Sequence, residues 1–177
     1  MSFLKSQFYR WFSTEFPNEK LFLDMEATCE ASPWHREPNV GIHTNMVVDQ
    51  YLVRVTDDWD MNNLIGAFAA AFHDVGKPYS KEAAYTEERG NYYRFRGHEL
   101  SSARLWEDWA VTNWDMLSNK FMLQAADIYR ISWIIENHLP WGIKKATKRE
   151  VLARGVEAVS YTHLTLPTTG HECRSGW

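Results

Sequence analysis

A lone histidine, followed at a distance by a histidine–aspartate doublet, is the feature of this chain best suited to chemistry. His43 lies in Gly41-Ile-His-Thr44, and the doublet in Ala69-Ala-Ala-Phe-His-Asp-Val-Gly-Lys-Pro78. Adjacent His73 and Asp74 offer a nitrogen and an oxygen to one ion, and the remote histidine can close the set. Mixed nitrogen and oxygen ligation suits Mn, Fe, Ni, Zn or a Mg-like ion rather than a closed structural zinc. Gly76 reads as a helix end, and Pro78 is expected to keep the helix from resuming. The doublet is therefore expected in the last turn of an apolar helix, with Lys77 projecting just beyond. A ligand pair at a helix end beside a cation suits a phosphate. A solvated loop lysine is the bland alternative for Lys77.

The elements that must position these groups are mostly helical. Residues 3–16 carry Phe3, Leu4, Phe8, Trp11, Phe12 and Phe16 and read as a short amphipathic helix ending before Pro17. Residues 18–26 read as another. Residues 28–41, with Pro33, Pro38 and Gly41, read as an ordered loop. A stripe of Val47, Val48, Tyr51, Leu52 and Val55 follows His43. Asn62 or Asn63 can cap the next helix, which is apolar nearly all round through Phe72 and should be central. Alternation around Glu88-Arg-Gly-Asn91 predicts a small β-hairpin near Ala83 to Arg96. Helices resume at Glu99, then over about 120–137 until Pro140, and again over 147–158. His35, His98 and His138 are the other histidines of this stretch, and His43, His73, His98 and His138 all fall at expected helix ends. Helix ends gather readily around a shared cleft. The expectation is an all-α helical bundle with one hairpin insertion.

Residues 159–177 are set apart. Val159-Ser-Tyr-Thr-His-Leu-Thr-Leu-Pro-Thr resembles a translated transposase-type sequencing adapter, spelled by GTC TCT TAT ACA CAT CTG ACG CTG CCG ACG. Glu172-Cys-Arg-Ser175 and Trp177 fit its continuation, which expects Arg where Gly176 stands. The expected organisation is one domain over 1–158, truncated at its C-terminus, and a non-natural tail over 159–177. Cys173 then belongs to the tail and Cys29 stands alone, which suits a reducing, cytoplasmic setting. No apolar run is long enough for a signal peptide or a membrane span. The net charge of −4 argues against a general nucleic-acid coat. The many Trp and Tyr residues predict an aromatic core.

From about Phe22 to Trp141 the chain resembles the HD-domain metal-dependent phosphohydrolases. It is most similar to the HD module of bacterial tRNA nucleotidyltransferases and to stand-alone or kinase-linked phage and bacterial relatives. The likeness is carried by Met25-Glu-Ala-Thr28, Trp34-His35, Gly41-Ile-His-Thr44, His73-Asp-Val-Gly-Lys-Pro78, Gly97-His-Glu99 and His138-Leu-Pro-Trp141, in that order. The resemblance implies an HD-type bundle in which His43, His73 and Asp74 are three of four ligands to a divalent ion (Mn, Mg, Ni, Fe, Co or Zn). The fourth is a later aspartate. No Asp follows Asp127, which precedes His138 and so falls in the wrong order, and the site is expected to be incomplete here. The resemblance also implies that His98 and His138 serve a second metal or touch the phosphate, that Lys77 neutralises a nonbridging oxygen, and that His35 lines the pocket. The implied substrate is a nucleotide, a 2′,3′-cyclic phosphate or a related phosphoester, attacked by a metal-activated water. The alternative is a catalytically weak module that binds nucleotides or RNA ends for a fused or neighbouring kinase or nucleotidyltransferase. No membrane partner is expected.

Overall fold

The computed structural model describes residues 2–30, 37–55, 58–88 and 90–139. His35, Pro140, the helix expected over 147–158 and the tail at 159–177 lie outside them. The chain is mostly helical with one small antiparallel sheet, as its patterning implied. In order the elements are α1 (Phe3–Thr14), a 3-10 turn (Phe16–Asn18), α2 (Lys20–Glu26), α3 (Val40–Arg54), α4 (Met61–Phe72), α5 (Lys77–Ser80), β1 (Lys81–Thr86), β2 (Gly90–Phe95), α6 (His98–Thr112), α7 (Trp114–Lys120) and α8 (Ala125–Glu136). Among the described residues no helix is long and apolar enough to cross a membrane.

Helix α4 is the axis of the molecule. Every residue from Leu64 to Phe72 is buried, because the run is apolar on all sides and other helices cover it. Phe68 meets Trp11 and Phe121 at ring-centroid distances of 5.1 and 5.0 Å, and Phe72 meets Trp106 and Trp109 at 4.8 Å each. Such ring pairs add about 0.5–1.5 kcal/mol each beyond the area they bury. The core is thus aromatic, as expected.

Four local expectations are corrected. Asp60, not Asn62 or Asn63, caps α4: its carboxylate accepts from Asn63 N, and the Asn63 side chain accepts from Asp60 N, both at 3.0 Å. Helix α3 begins at Val40 behind an Asn39 cap, which puts His43 one turn inside rather than at its start. The helix expected over about 120–137 begins only at Ala125, and Lys120 instead ends a separate short helix, α7. Met122 takes a positive φ of 57° and points outward, and this turn drops Phe121 and Leu123 on either side of it into the core. Pro78, finally, does not stop the helix. It occupies the first turn of α5, where its missing N–H leaves nothing unsatisfied.

Candidate metal centre

His73 and Asp74 follow directly on α4, in the turn that joins it to α5. That turn is where α6 crosses. Gly76 N donates to Ser102 Oγ at 2.8 Å, and a Cβ on Gly76 would stand 2.6 Å from His98 O and Ser102 N. Only glycine lets the α6 backbone come this close. Gly97, with φ of 73°, turns the chain from β2 into α6, and His98 begins that helix beside Asp74. His138 arrives just past the end of α8, and His43 from the first turns of α3.

The four histidines converge on one carboxylate. His73 Nε2 is 2.9 Å and His43 Nε2 3.6 Å from Asp74 Oδ2. His98 Nε2 is 3.2 Å and His138 Nε2 3.8 Å from Asp74 Oδ1. All five side chains are buried. Among the described residues, two groups could therefore hold a metal ion: His43, His73 and Asp74, and Asp74, His98 and His138, with ligand atoms within 4.8 Å of one another in each. Ligands about 2.0–2.2 Å from one ion stand at most about 4.4 Å apart, so both groups lie near metal-holding size.

Ring orientation favours a cation. His73 Nδ1 lies 2.8 Å from Ala70 O, His98 Nδ1 2.6 Å from Phe95 O, and His138 Nδ1 2.6 Å from Ile135 O. A carbonyl only accepts, so each Nδ1 carries a proton and each ring turns Nε2 inward. This is the arrangement metal-binding histidines use. The Nε2 atoms of His98 and His138 stand 3.3 Å apart. Two facing lone pairs repel unless a proton or an ion lies between them.

Lys77 stands beside the doublet, as expected, and two glutamates join it. Lys77 is not a solvated loop residue. It is 3% exposed, and its Nζ lies 2.9 Å from Asp74 Oδ2 and pairs with Glu30 Oε1. Glu37 Oε1 lies 3.5 Å from His43 Nδ1. The loop expected over 28–41 is pinched at its ends by an antiparallel bridge between Cys29 and Asn39, with Val40 N donating to Thr28 O at 3.0 Å, and this brings Glu30 and Glu37 to the centre. No local signal marks either glutamate, because an acidic residue in a loop is ordinarily solvated.

Burial opposes the ionisation of Asp74, but the positive charges of His73 and Lys77 and hydrogen bonds from His73 and His98 overcome it. Its carboxyl is held well below the usual range. Burial likewise opposes the charge on Lys77 and is overcome by Asp74 and Glu30, which raise it. Glu30 is pushed up by burial and by the nearby carboxylates Asp74 and Glu37, against the pull of Lys77. His138 is driven well below its usual value by burial and by His73 and His98. Asp127 takes no part: its carboxylate caps α8 by accepting from Gln124 N at 2.9 Å.

The structure thus brings together His43, His73, Asp74, Lys77, His98 and His138, the whole set named from sequence within the described residues. No protein-family model, curated protein or solved structure matches this chain.

Proposed function

We propose that this chain is a divalent-metal-dependent phosphohydrolase of the HD type, acting on a nucleotide, a 2′,3′-cyclic phosphate or a related phosphoester. One observation carries the reading. Asp74 is a buried carboxylate shared by two histidine pairs, in a pocket whose three carboxyl groups outnumber its one ammonium. An entering divalent ion that draws the protons off these carboxyls would meet two negative charges beyond the one that Lys77 neutralises.

His43, His73 and Asp74 would hold the first ion, with Mn, Mg, Ni, Fe, Co or Zn all compatible with this donor set. His98 and His138 would hold a second, or place a phosphoryl oxygen. A bound ion supplies a hydroxide near neutral pH and polarises phosphorus. The protein's own groups supply the rest. Asp74 anchors both histidine pairs, the carbonyls of Ala70, Phe95 and Ile135 hold the rings with Nε2 turned inward, and Lys77 lends positive charge beside Asp74 to a nonbridging oxygen. The aspartate expected as fourth ligand is not among the described residues. Among the described residues, Glu37 beside His43 and Glu30 beside Lys77 are further carboxylates of the centre.

The alternative reading is a nucleotide- or RNA-end-binding module with weak catalysis, serving a fused or neighbouring kinase or nucleotidyltransferase. It draws support from Lys77, whose ammonium is shared with Glu30 and Asp74 and so has less charge to lend to a reacting phosphoryl group.

Calorimetric titration with Mn, Ni and Zn, together with turnover of bis(p-nitrophenyl) phosphate, tests both. The hydrolase reading expects saturable ion binding and metal-dependent turnover, both lost in Asp74→Ala. Ion binding without turnover favours the binding module. Turnover or ion binding that survives Asp74→Ala overturns the assignment of the centre.

A further inference from the structure

The β1–β2 hairpin has two chemically different faces. Directly opposed residues of an antiparallel pair point the same way. One face therefore carries Lys81 with Phe95, Ala83 with Tyr93, and Tyr85 with Asn91. The other carries Glu82 with Arg94, Ala84 with Tyr92, and Thr86 with Gly90. The first face holds three aromatic rings and a lysine and no carboxylate. The carboxylate of the strands, Glu82, lies on the second, bridged to Arg94 at 2.7 Å.

The aromatic face starts at the metal centre. The Phe95 ring centroid lies 5.5 Å from Lys77 Nζ, and Phe95 O accepts from His98 Nδ1 at 2.6 Å. Tyr93 comes next, with Lys81 Nζ 3.8 Å from its ring centroid. Tyr85, 66% exposed, continues the row toward the turn. At a strand rise of roughly 3.3 Å per residue, Phe95 to the level of Asn91 spans about 13 Å. Stacked nucleotides advance about 3.4 Å each, so the row is longer than one nucleoside needs.

We propose that this face is a base-stacking platform, and that the phosphoester delivered to Asp74 sits at the end of a single-stranded nucleic acid rather than on a free mononucleotide. The proposal rests on the hydrolase reading above for its reactive group and on the hairpin alone for its binding surface. Rings beside a cation are what sequence-tolerant single-strand binding requires, because every base presents a face to stack. The absence of carboxylates on this side spares the backbone phosphates repulsion.

The test is fluorescence anisotropy on the full chain in chelator, where no turnover occurs. The probes are a labelled short oligouridylate ending in a 2′,3′-cyclic phosphate and the equivalent labelled mononucleotide. The oligonucleotide should bind at least about tenfold more tightly, and Tyr85→Ala and Tyr93→Ala should each weaken it about tenfold. Tyr93→Phe should retain binding while Tyr93→Leu does not, which separates stacking from packing. Tyr129→Ala removes a similarly exposed ring on α8, 70% exposed, and should change nothing. Equal affinity for both probes, or oligonucleotide binding indifferent to Tyr85 and Tyr93, overturns the proposal. Because these readings need no metal, they stand apart from the turnover assay: loss of hydrolysis with binding intact refutes the hydrolase reading and leaves the platform.

Discussion

Helix α4 feeds two buried regions of opposite character. Around Phe68 and Phe72 ring packs on ring within an apolar core, and burying any of these side chains is favourable by itself. Just beyond its last turn, His73 and Asp74 enter a region equally closed to water in which burial opposes every charge. That second region holds only because its groups are paired with one another. The two share a helix and a degree of burial but not a source of stability. The aromatic region should respond to lost volume and ignore ions and pH. The polar region should respond to both.

The largest effect is expected in the aromatic region. Phe68→Ala should lower stability by about 3–5 kcal/mol in urea denaturation. The loss should be the same with and without manganese, since no titratable or ligating group is touched. A loss that varied with the ion would merge the two regions.

Lys77→Met should cost about 3 kcal/mol in chelator, because it leaves Glu30 and Asp74 buried without their ammonium. Manganese should then stabilise the variant more than the parent protein. Equal stabilisation would mean that the balance of charge at the centre does not govern ion binding.

Gly76→Ala probes the seam between the regions. Its new Cβ meets α6 backbone, which cannot yield as a side chain can, and a loss of about 2 kcal/mol is expected. Calorimetry should also show weaker ion binding, because α6 carries His98 away from Asp74. Unchanged affinity would separate His98 from the metal-holding role.

The smallest effect is in pH. His138 takes up a proton less readily folded than unfolded. As pH falls below about 6.5 the unfolded chain therefore binds a proton that the folded chain refuses, and stability declines. One such group contributes at most about 1.4 kcal/mol per pH unit. His138→Gln should flatten the urea midpoint between about pH 6.5 and 5 in chelator, a change Phe68→Ala should not produce.

Local pattern alone made much of this protein legible. Helix α4 was visible because its apolar run leaves no face for water. The hairpin was visible because alternation breaks at Gly90, whose φ of 67° the turn requires. His43, His73 and Asp74 could be named because a histidine and a His-Asp doublet offer mixed ligands to one ion, and His98 and His138 through the resemblance to the HD-domain family. Where local pattern misled, the competing influence was a neighbour or a turn: Asp60 as the cap of α4, Met122 as the break before α8, Pro78 as a helix opener.

The tertiary structure decided which charges face one another. Lys77 and Glu30 stand 47 positions apart, and nothing near either one announces the other. The bridge between Cys29 and Asn39 brings Glu30 and Glu37 inward, and the close crossing at Gly76 sets His98 beside Asp74. Sequence specifies residue types and local turns through forces that act over a few residues. Desolvation and charge pairing act across space, so a buried centre built from distant segments takes its chemistry from the packing that assembles it.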